Sequence, residues 1–198
     1  MVIVDSGGAN LASLQYALAR LGAASVVSQD AAQIRAAHSV LLPGVGSAGA
    51  AMQRLQQLGL DRLLPTLRQP VLGICLGMQL LFDKSDEGNT TCLGIVGGRV
   101  GRLQSAPDLP VPHMGWNTLR ARCADPLLDG LLPTDRVYFV HSFAAPIVAH
   151  TSASCDYSME FSAVIAHNNF HGVQFHPERS GVVGARLLAN FLKIQLCN

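Results

Sequence analysis

The chain has few charges for its length and no block of one sign. Of its 198 residues, 14% are Asp, Glu, Lys or Arg, and the formal net charge is only +1. Arg102, Arg120 and Arg122 are isolated singles, whereas a nucleic-acid or polyanion binder carries a clustered basic stripe. We therefore expect no nucleic-acid partner.

Long apolar runs are also absent. The longest uncharged stretches, residues 39–53 and 69–82, are interrupted by glycine or proline, and they are shorter than the roughly 20 apolar residues that a membrane span needs. The first ten residues, MVIVDSGGAN, carry neither a basic segment nor a long apolar one, which favours a strand over a signal peptide. The sequence therefore predicts no membrane partner and a cytoplasmic location.

The five cysteines lack the pattern of a metal or disulfide framework. They are odd in number and widely spaced, with no Cys-x-x-Cys pair and no histidine at zinc spacing. The glycine-rich stretch LLPGVGSAG has neither the Gly-Lys-Ser/Thr of a P-loop nor the spacing of a dinucleotide fingerprint. We expect no metal and no cofactor. Four cysteines are interpreted as buried, reduced thiols: Cys92, Cys123, Cys155 and Cys197.

Short β-rich runs alternate with helical patterns through the first half of the chain. MVIVD, SVVS, SVLLPG and QPVLGI are typical of strands, and helical segments separate them. This order predicts a three-layer α/β fold with a mainly parallel central sheet and helices on both faces.

The second half changes character. LGIVGGRVGRL, RVYFVHSF, FSAVIAH and FHGVQFH are strand-like and close together, with Asn168-Asn169 a hairpin tip between the last two. Antiparallel strands must therefore extend the sheet or lie beside it, and a final amphipathic helix is predicted over residues 180–195. No internal repeat or linker interrupts the chain, so we expect one domain over residues 1–198.

The segment Gly73-Ile74-Cys75-Leu76-Gly77 has the spacing of a nucleophile elbow. It lies where an apolar strand turns into a helix, and the flanking glycines allow the sharp turn that exposes the central side chain. Orphan amide donors at a helix N-terminus favour the thiolate, which is the attacking species. The alternative is a small packed cysteine in a tight turn.

A cysteine nucleophile needs a base, and His176 is the best placed of the seven histidines. It ends the strand-like run FHGVQFH, and Glu178 falls two residues further, on the same side of an extended backbone. That spacing predicts a Cys/His/acid triad of Cys75, His176 and Glu178. The alternative is a strand-end histidine that only forms a salt bridge with Glu178.

Acyl transfer also needs donors for the developing oxyanion. The amide of Leu76 is one candidate. A second is the amide of Val45, because Gly44 and Gly46 free the backbone around it.

Three segments together resemble the class I (triad) glutamine amidotransferase family: Pro43-Gly44-Val45-Gly46, Gly73-x-Cys75-x-Gly77-x-Gln79 and His176-Pro177-Glu178. The resemblance covers nearly the whole chain and implies a flavodoxin-like fold. It also implies that Cys75 attacks the side-chain amide of glutamine, that His176 passes a proton to the departing ammonia and that Glu178 orients the histidine. It further implies four contacts to glutamine: Gln79, Glu87, Gly46 and the Ser142 backbone.

Within that family, PHMGWN and YFVHSF resemble a branch whose members pass ammonia to a partner cyclase subunit of (β/α)₈-barrel fold. The resemblance implies a heterodimer, and four residues are expected to face the cyclase: Asn10, Trp116, Asn117 and Arg179. Two other functions stay open. One is a free-standing cysteine hydrolase of γ-glutamyl amides, and the other is a catalytically silent regulatory subunit.

Overall fold

The computed structural model describes residues 1–7 and 11–194. Two predictions lie outside the described residues, the interface role of Asn10 and the buried thiol of Cys197. Within the described part of the chain, no helix is long and apolar enough to cross a membrane.

Strands occupy much of the described chain. In chain order they are β1 (Val2–Val4), β2 (Val26–Ser28), β3 (Val40–Gly44), β4 (Val71–Cys75), β5 (Phe82–Ser85), β6 (Thr90–Thr91), β7 (Val96–Arg102), β8 (His113–Thr118), β9 (Arg120–Ala121), β10 (Arg136–His141), β11 (Phe143–Ala144), β12 (Thr151–Asp156), β13 (Glu160–His167) and β14 (Phe170–Val173).

Capping residues and a proline explain several of the helix boundaries. They are α1 (Leu11–Arg20), α2 (Ala31–Ala36), α3 (Ala48–Gln57), α4 (Leu60–Leu63), α5 (Leu76–Gln79) and α6 (Gly181–Lys193). Asp30 caps α2 by accepting from the Gln33 amide at 2.7 Å, and Ser47 caps α3 in the same way. After α4 the chain tightens into a 3₁₀ turn over Leu64–Thr66, where Pro65 has no N–H for an α-helical bond.

The central sheet has eight strands in the order β2-β1-β3-β4-β14-β13-β12-β9. The pairs from β2 to β14 are parallel, and those from β14 to β9 are antiparallel. The predicted hairpin tip is confirmed, because His167 pairs with Phe170 across a turn in which Asn168 has φ 55°. The mainly parallel sheet with added antiparallel strands is confirmed as well.

Helices cover both faces of this sheet. Along β3, Val40 and Leu42 pack into one core with residues of α2, α3 and α4. Leu41 points the other way, into a second core that contains residues of α1 and α6. Because neighbouring strand residues point to opposite faces, these two cores define the predicted three layers.

Two smaller sheets lie beside the central one. One has the order β11-β7-β5-β6, and the other pairs β8 with β10. The predicted strand RVYFVHSF is split between them, since β10 ends at His141 and β11 begins at Phe143. Ser142 therefore lies at a break between two sheets, where its carbonyl accepts from the Leu103 amide at 2.9 Å and the residue lines a cavity.

Candidate functional site

Cys75 lies at the junction of β4 and α5 in a strained backbone conformation. Its φ is 54° and its ψ is −111°, a region that side chains other than glycine rarely adopt. Only 7% of the residue is exposed. The chain thus turns sharply at the cysteine, as the elbow prediction requires. The helix that follows is only four residues long, so its dipole contributes less than a long helix would.

The two flanking glycines are required by close approach. A Cβ on Gly77 would lie 1.7 Å from the carbonyl oxygen of Leu42 in β3, and one on Gly73 would lie 2.7 Å from the carbonyl oxygen of Gly77. Neither glycine has a positive φ. Their small size lets the elbow pack directly against the neighbouring strand, and any side chain there would displace Cys75.

His176 and Glu178 form a close pair. Nδ1 of His176 lies 2.8 Å from Oε1 of Glu178, and both side chains are 9% exposed. The predicted extended backbone between them is wrong. β14 ends at Val173, and Pro177–Arg179 form a 3₁₀ turn closed by the Arg179 amide on the His176 carbonyl at 3.0 Å. Pro177, with its fixed φ, starts this turn, and the turn brings the carboxylate back to the imidazole.

The surroundings of His176 favour its protonated form. Burial alone would lower the pKa of the imidazole. Hydrogen bonds to Cys75 and Glu178 and the negative charges of both have the larger, opposite effect, and together they raise this pKa from 6.5 to about 10. This pKa favours an imidazolium beside the sulfur at neutral pH. In such a pair the positive charge stabilises a thiolate.

These groups line one cavity of about 820 Å³. The cavity brings together all the predicted catalytic, oxyanion and substrate residues: Cys75, His176, Glu178, Gly44, Val45, Leu76, Gln79, Glu87, Gly46 and Ser142. Of the predicted interface residues that the structure describes, Arg179 lines the same cavity.

The glycine-rich loop after β3 is paired to the elbow. Gly44 is in register with Cys75, and a Cβ on Gly44 would lie 3.0 Å from the Gly77 amide nitrogen. Gly46 is the loop glycine with a positive φ, 87°, and a Cβ there would meet nothing within 4 Å. Size is thus the constraint at Gly44, and conformation is the constraint at Gly46.

Glu87 has a second task besides lining the cavity. Its Oε2 accepts from the amide of Ala48, at the start of α3, at 2.7 Å. A carboxylate at a helix N-terminus is favourably placed. Glu87 therefore fixes the start of α3, which directly follows the glycine-rich loop.

Gln79 is held by its amide nitrogen. Nε2 donates to the carbonyl of Phe143 at 2.7 Å and to Oε1 of Gln174 at 2.9 Å. Sequence reasoning missed Gln174, which is completely buried and whose Nε2 lies 3.7 Å from Sγ of Cys75. The available signal was a polar residue two positions before His176, between the apolar Val173 and Phe175.

An exposed aromatic surface lies next to the site. Trp116 is 51% exposed, and its ring packs edge-on against Tyr138 at 5.8 Å. The guanidinium of Arg179 lies 4.5 Å from the centre of the Tyr138 ring. Strand alternation places Asn117 on the opposite face from Trp116, and its side-chain amide donates to the Asp156 carbonyl at 2.9 Å.

Tyr138 also binds the histidine loop through its backbone. Its carbonyl accepts from the His176 amide at 2.9 Å. Its amide donates to the Ser180 hydroxyl at 2.9 Å, and that hydroxyl donates to the His176 carbonyl at 2.7 Å. The backbone of His176 is thus fixed on both sides by the strand that carries Tyr138.

The remaining described cysteines are unpaired, but they differ in exposure. Burial raises the pKa of Cys92 to about 11. Burial, with a smaller contribution from Asp156, raises that of Cys155 to about 12. The prediction that Cys123 is buried is wrong, because it lies in an exposed loop after β9.

The family model for class-I glutamine amidotransferases matches residues 2–194, and the chain belongs to this family. The chain is 50% identical over 197 residues to the imidazole glycerol phosphate synthase subunit HisH of Idiomarina loihiensis, with 100% of this chain and 99% of that protein covered. It is 48% identical over 200 residues to the subunit of the same name from Vibrio cholerae, with 98% of each covered. A crystal structure of a glutamine amidotransferase shares the fold, with a TM-score of 0.75 over 97% of both chains at 16% identity.

Proposed function

We propose that this chain hydrolyses glutamine to glutamate and ammonia through a cysteine thioester. The ammonia passes to a partner cyclase subunit, which makes imidazole glycerol phosphate and AICAR in histidine biosynthesis in the cytoplasm. One observation carries the proposal: a strained, buried Cys75 lines the same cavity as an imidazole that is bound to Glu178 at 2.8 Å. The full-length similarity to HisH subunits supports the choice of substrate and partner.

The first half of the reaction forms the thioester. The thiolate of Cys75 attacks the side-chain carbonyl carbon of glutamine, and the carbonyl oxygen becomes an oxyanion. When this intermediate collapses, the C–N bond breaks and the proton of His176 goes to the departing ammonia. The raised pKa of His176 supports this role, because it keeps the proton available at neutral pH.

The second half releases glutamate. Neutral His176 takes a proton from water, whose oxygen attacks the thioester carbonyl, and the C–S bond breaks to give back the thiolate. Glu178 does not exchange protons in this scheme. Its bond to Nδ1 orients the ring and leaves Nε2 for the sulfur and the substrate.

Donors for the oxyanion are proposed to come from the backbone. The Leu76 amide begins the helix after Cys75, and the Val45 amide lies in the paired loop of the next strand. Preorganised amides at such positions stabilise charge that develops in the transition state. Gly44 is needed here because a Cβ would press on the elbow itself.

Glutamine recognition is proposed to use Gln79 and Glu87, which are each held by hydrogen bonds to the protein and still have one side-chain oxygen available. Both hydrogens of the Gln79 amide are engaged, so its carbonyl oxygen remains to accept from the α-ammonium of glutamine. Glu87 keeps Oε1 for the same charge while Oε2 binds Ala48. The backbones of Gly46 and Ser142 complete the cavity wall.

The cyclase is proposed to dock on the surface of Trp116 and Arg179. An exposed tryptophan next to an arginine is the residue type that anchors protein interfaces. This surface adjoins the cavity, since Arg179 belongs to both, so ammonia would have a short path. The parts predicted for Asn10 and Asn117 and the (β/α)₈ fold of the partner stay predictions.

The test is ammonia release from glutamine by the purified chain, with and without the cyclase and its nucleotide substrate. We expect release that depends on both. Cys75→Ala in the complex should abolish synthesis from glutamine and spare synthesis from ammonium salts, because only the ammonia source is removed. A free-standing hydrolase would instead release ammonia without the cyclase, and a silent subunit would release none under any condition.

A further inference from the structure

Gln174 lies against the proposed nucleophile and has no part in the scheme above. It follows β14 directly, is completely buried and is held through its own amide on the Ala163 carbonyl at 2.9 Å. Its side-chain Nε2 lies 3.7 Å from Sγ of Cys75. Sulfur is a large atom, and this separation is within reach of an N–H···S hydrogen bond.

The Phe143 carbonyl, which Gln174 does not touch itself, determines which end of the Gln174 side-chain amide faces Cys75. The Phe143 carbonyl can only accept, so Gln79 must turn its NH₂ group toward it at 2.7 Å. The second hydrogen of that group points to Gln174 at 2.9 Å, so Gln174 must present its oxygen there. Its nitrogen is then left facing the sulfur. A backbone carbonyl thus sets the polarity of two side chains in series.

A donor in this position distinguishes the two states of the sulfur. The thiolate can accept from Gln174, and such charge-assisted bonds are about twice as strong as neutral ones. The neutral thiol is only a weak acceptor, and as a weak donor it has the Val140 carbonyl near it at 3.9 Å. The buried amide therefore stabilises the ionised sulfur more than the protonated one.

We propose that Gln174 is a further catalytic residue, which donates a hydrogen bond to Sγ of Cys75 in its thiolate form. It keeps the sulfur ionised before the attack, and it stabilises the charge that returns to sulfur when the thioester C–S bond breaks. The role in turnover rests on the proposed function, but the hydrogen bond itself can be tested without glutamine.

The contrasting role is a structural one, in which Gln174 only satisfies Gln79 inside the core. Both roles predict that an apolar substitute costs stability, because Gln79 loses a buried partner. Only the catalytic role predicts a change in the ionisation of the sulfur. The readout must therefore be the pH profile of Cys75 reactivity.

The experiment measures alkylation of Cys75 by iodoacetamide in the isolated full chain between pH 5 and 10, with mass spectrometry to follow that site. Gln174→Met keeps the volume and removes the donor. We expect the midpoint of the profile to rise by about one pH unit, with alkylation at a fixed pH below it slowed about tenfold. Gln174→Glu keeps the shape and the acceptor toward Gln79, and its negative charge should raise the midpoint as well.

Gln69→Met is the matched control. The Gln69 amide also donates to backbone carbonyls, those of Ile34 and Arg35, but it lies before β4 at the opposite end of the strand from Cys75. Its profile should match that of the wild type. Thermal unfolding of all variants reports the structural cost separately.

An unchanged midpoint in both Gln174 variants overturns the proposal, even if their unfolding temperatures fall. The proposed function has its own readout, ammonia release by the complex. A wild-type complex that releases none would refute the function and leave the alkylation comparison valid.

Discussion

Replacing Cys75 by glycine should give a more stable protein than replacing it by alanine. At most positions the order is the reverse, because glycine loses more backbone freedom on folding and costs about 0.5–1 kcal/mol relative to alanine. At Cys75 the backbone has φ 54° and ψ −111°, which alanine tolerates poorly and glycine adopts freely. The two variants remove the same thiol, so their difference isolates the backbone.

The magnitude follows from two opposing effects. A residue other than glycine held in a sparsely populated region costs about 1–3 kcal/mol. Glycine removes this strain, but its greater freedom in the unfolded chain lowers the free energy of unfolding by about 0.4–1 kcal/mol. We therefore expect Cys75→Gly to exceed Cys75→Ala by about 1 kcal/mol in the free energy of unfolding. For a chain of this size that corresponds to about 2–4 °C in Tm.

Urea unfolding followed by circular dichroism measures the difference, provided that both variants have the same m-value. Ala163→Gly is the control, because Ala163 is completely buried in β13 and has no positive φ. There glycine should be the less stable residue. If Cys75→Gly were no more stable than Cys75→Ala, the positive φ at the elbow would carry no cost in free energy, and the description of Cys75 as strained would be refuted.

Three further results are expected. Iodoacetamide should label Cys75 fastest, the exposed Cys123 at the rate of an ordinary thiol, and the two buried thiols with raised pKa values slowest; peptide mass spectrometry ranks them. In the complex, kcat should fall as pH rises through about 10, where His176 loses its proton. Glu178→Gln should move this fall to lower pH, because one of the two groups that raise the pKa of His176, Cys75 and Glu178, loses its negative charge. Gly46→Ala, at φ 87°, should lower activated turnover about tenfold or more, because the strained loop no longer aims its amide.

Each of these results has an outcome that contradicts it. Equal labelling of all described cysteines would remove the activated thiolate. An alkaline limb that stays in place in Glu178→Gln would mean that the carboxylate does not set the proton affinity of the histidine. A Gly46→Ala enzyme with full turnover would show that the positive φ is not needed for the loop's function.

The sequence predicted the layers of the fold because its signals there are local. Continuous apolar runs such as residues 70–74 mark strands that are buried on both faces, and the helices between them have regular apolar spacing. The same kind of local signal predicted most of the antiparallel strands in the second half of the chain. Their division among three sheets was not predictable, because the break at Ser142 depends on which partners β10 and β11 find far along the chain.

Within the candidate site, residue types and spacing were enough to predict that Cys75 and His176 come together, as their shared cavity shows, but not to describe how they are held. The extended path from His176 to Glu178 was wrong because Pro177 starts a turn. Gln174 was missed because its importance comes from contacts with residues more than 90 positions away, at 2.9 Å and 3.7 Å. Glu87 was predicted as a substrate contact, and its bond to the start of α3 is likewise long-range.

The position of Tyr138 between the aromatic surface and the histidine loop has a thermodynamic consequence. Its ring contacts Trp116 and Arg179. Its backbone carbonyl accepts from the His176 amide, and its backbone amide reaches the His176 carbonyl through the Ser180 hydroxyl. If a protein that binds this ring shifts the strand and His176 with it, the binding free energy of a ligand that contacts the histidine changes as well. By linkage the effect is reciprocal. A glutamine analogue in the cavity would then alter the affinity for that protein by the same factor by which the protein alters the affinity for the analogue.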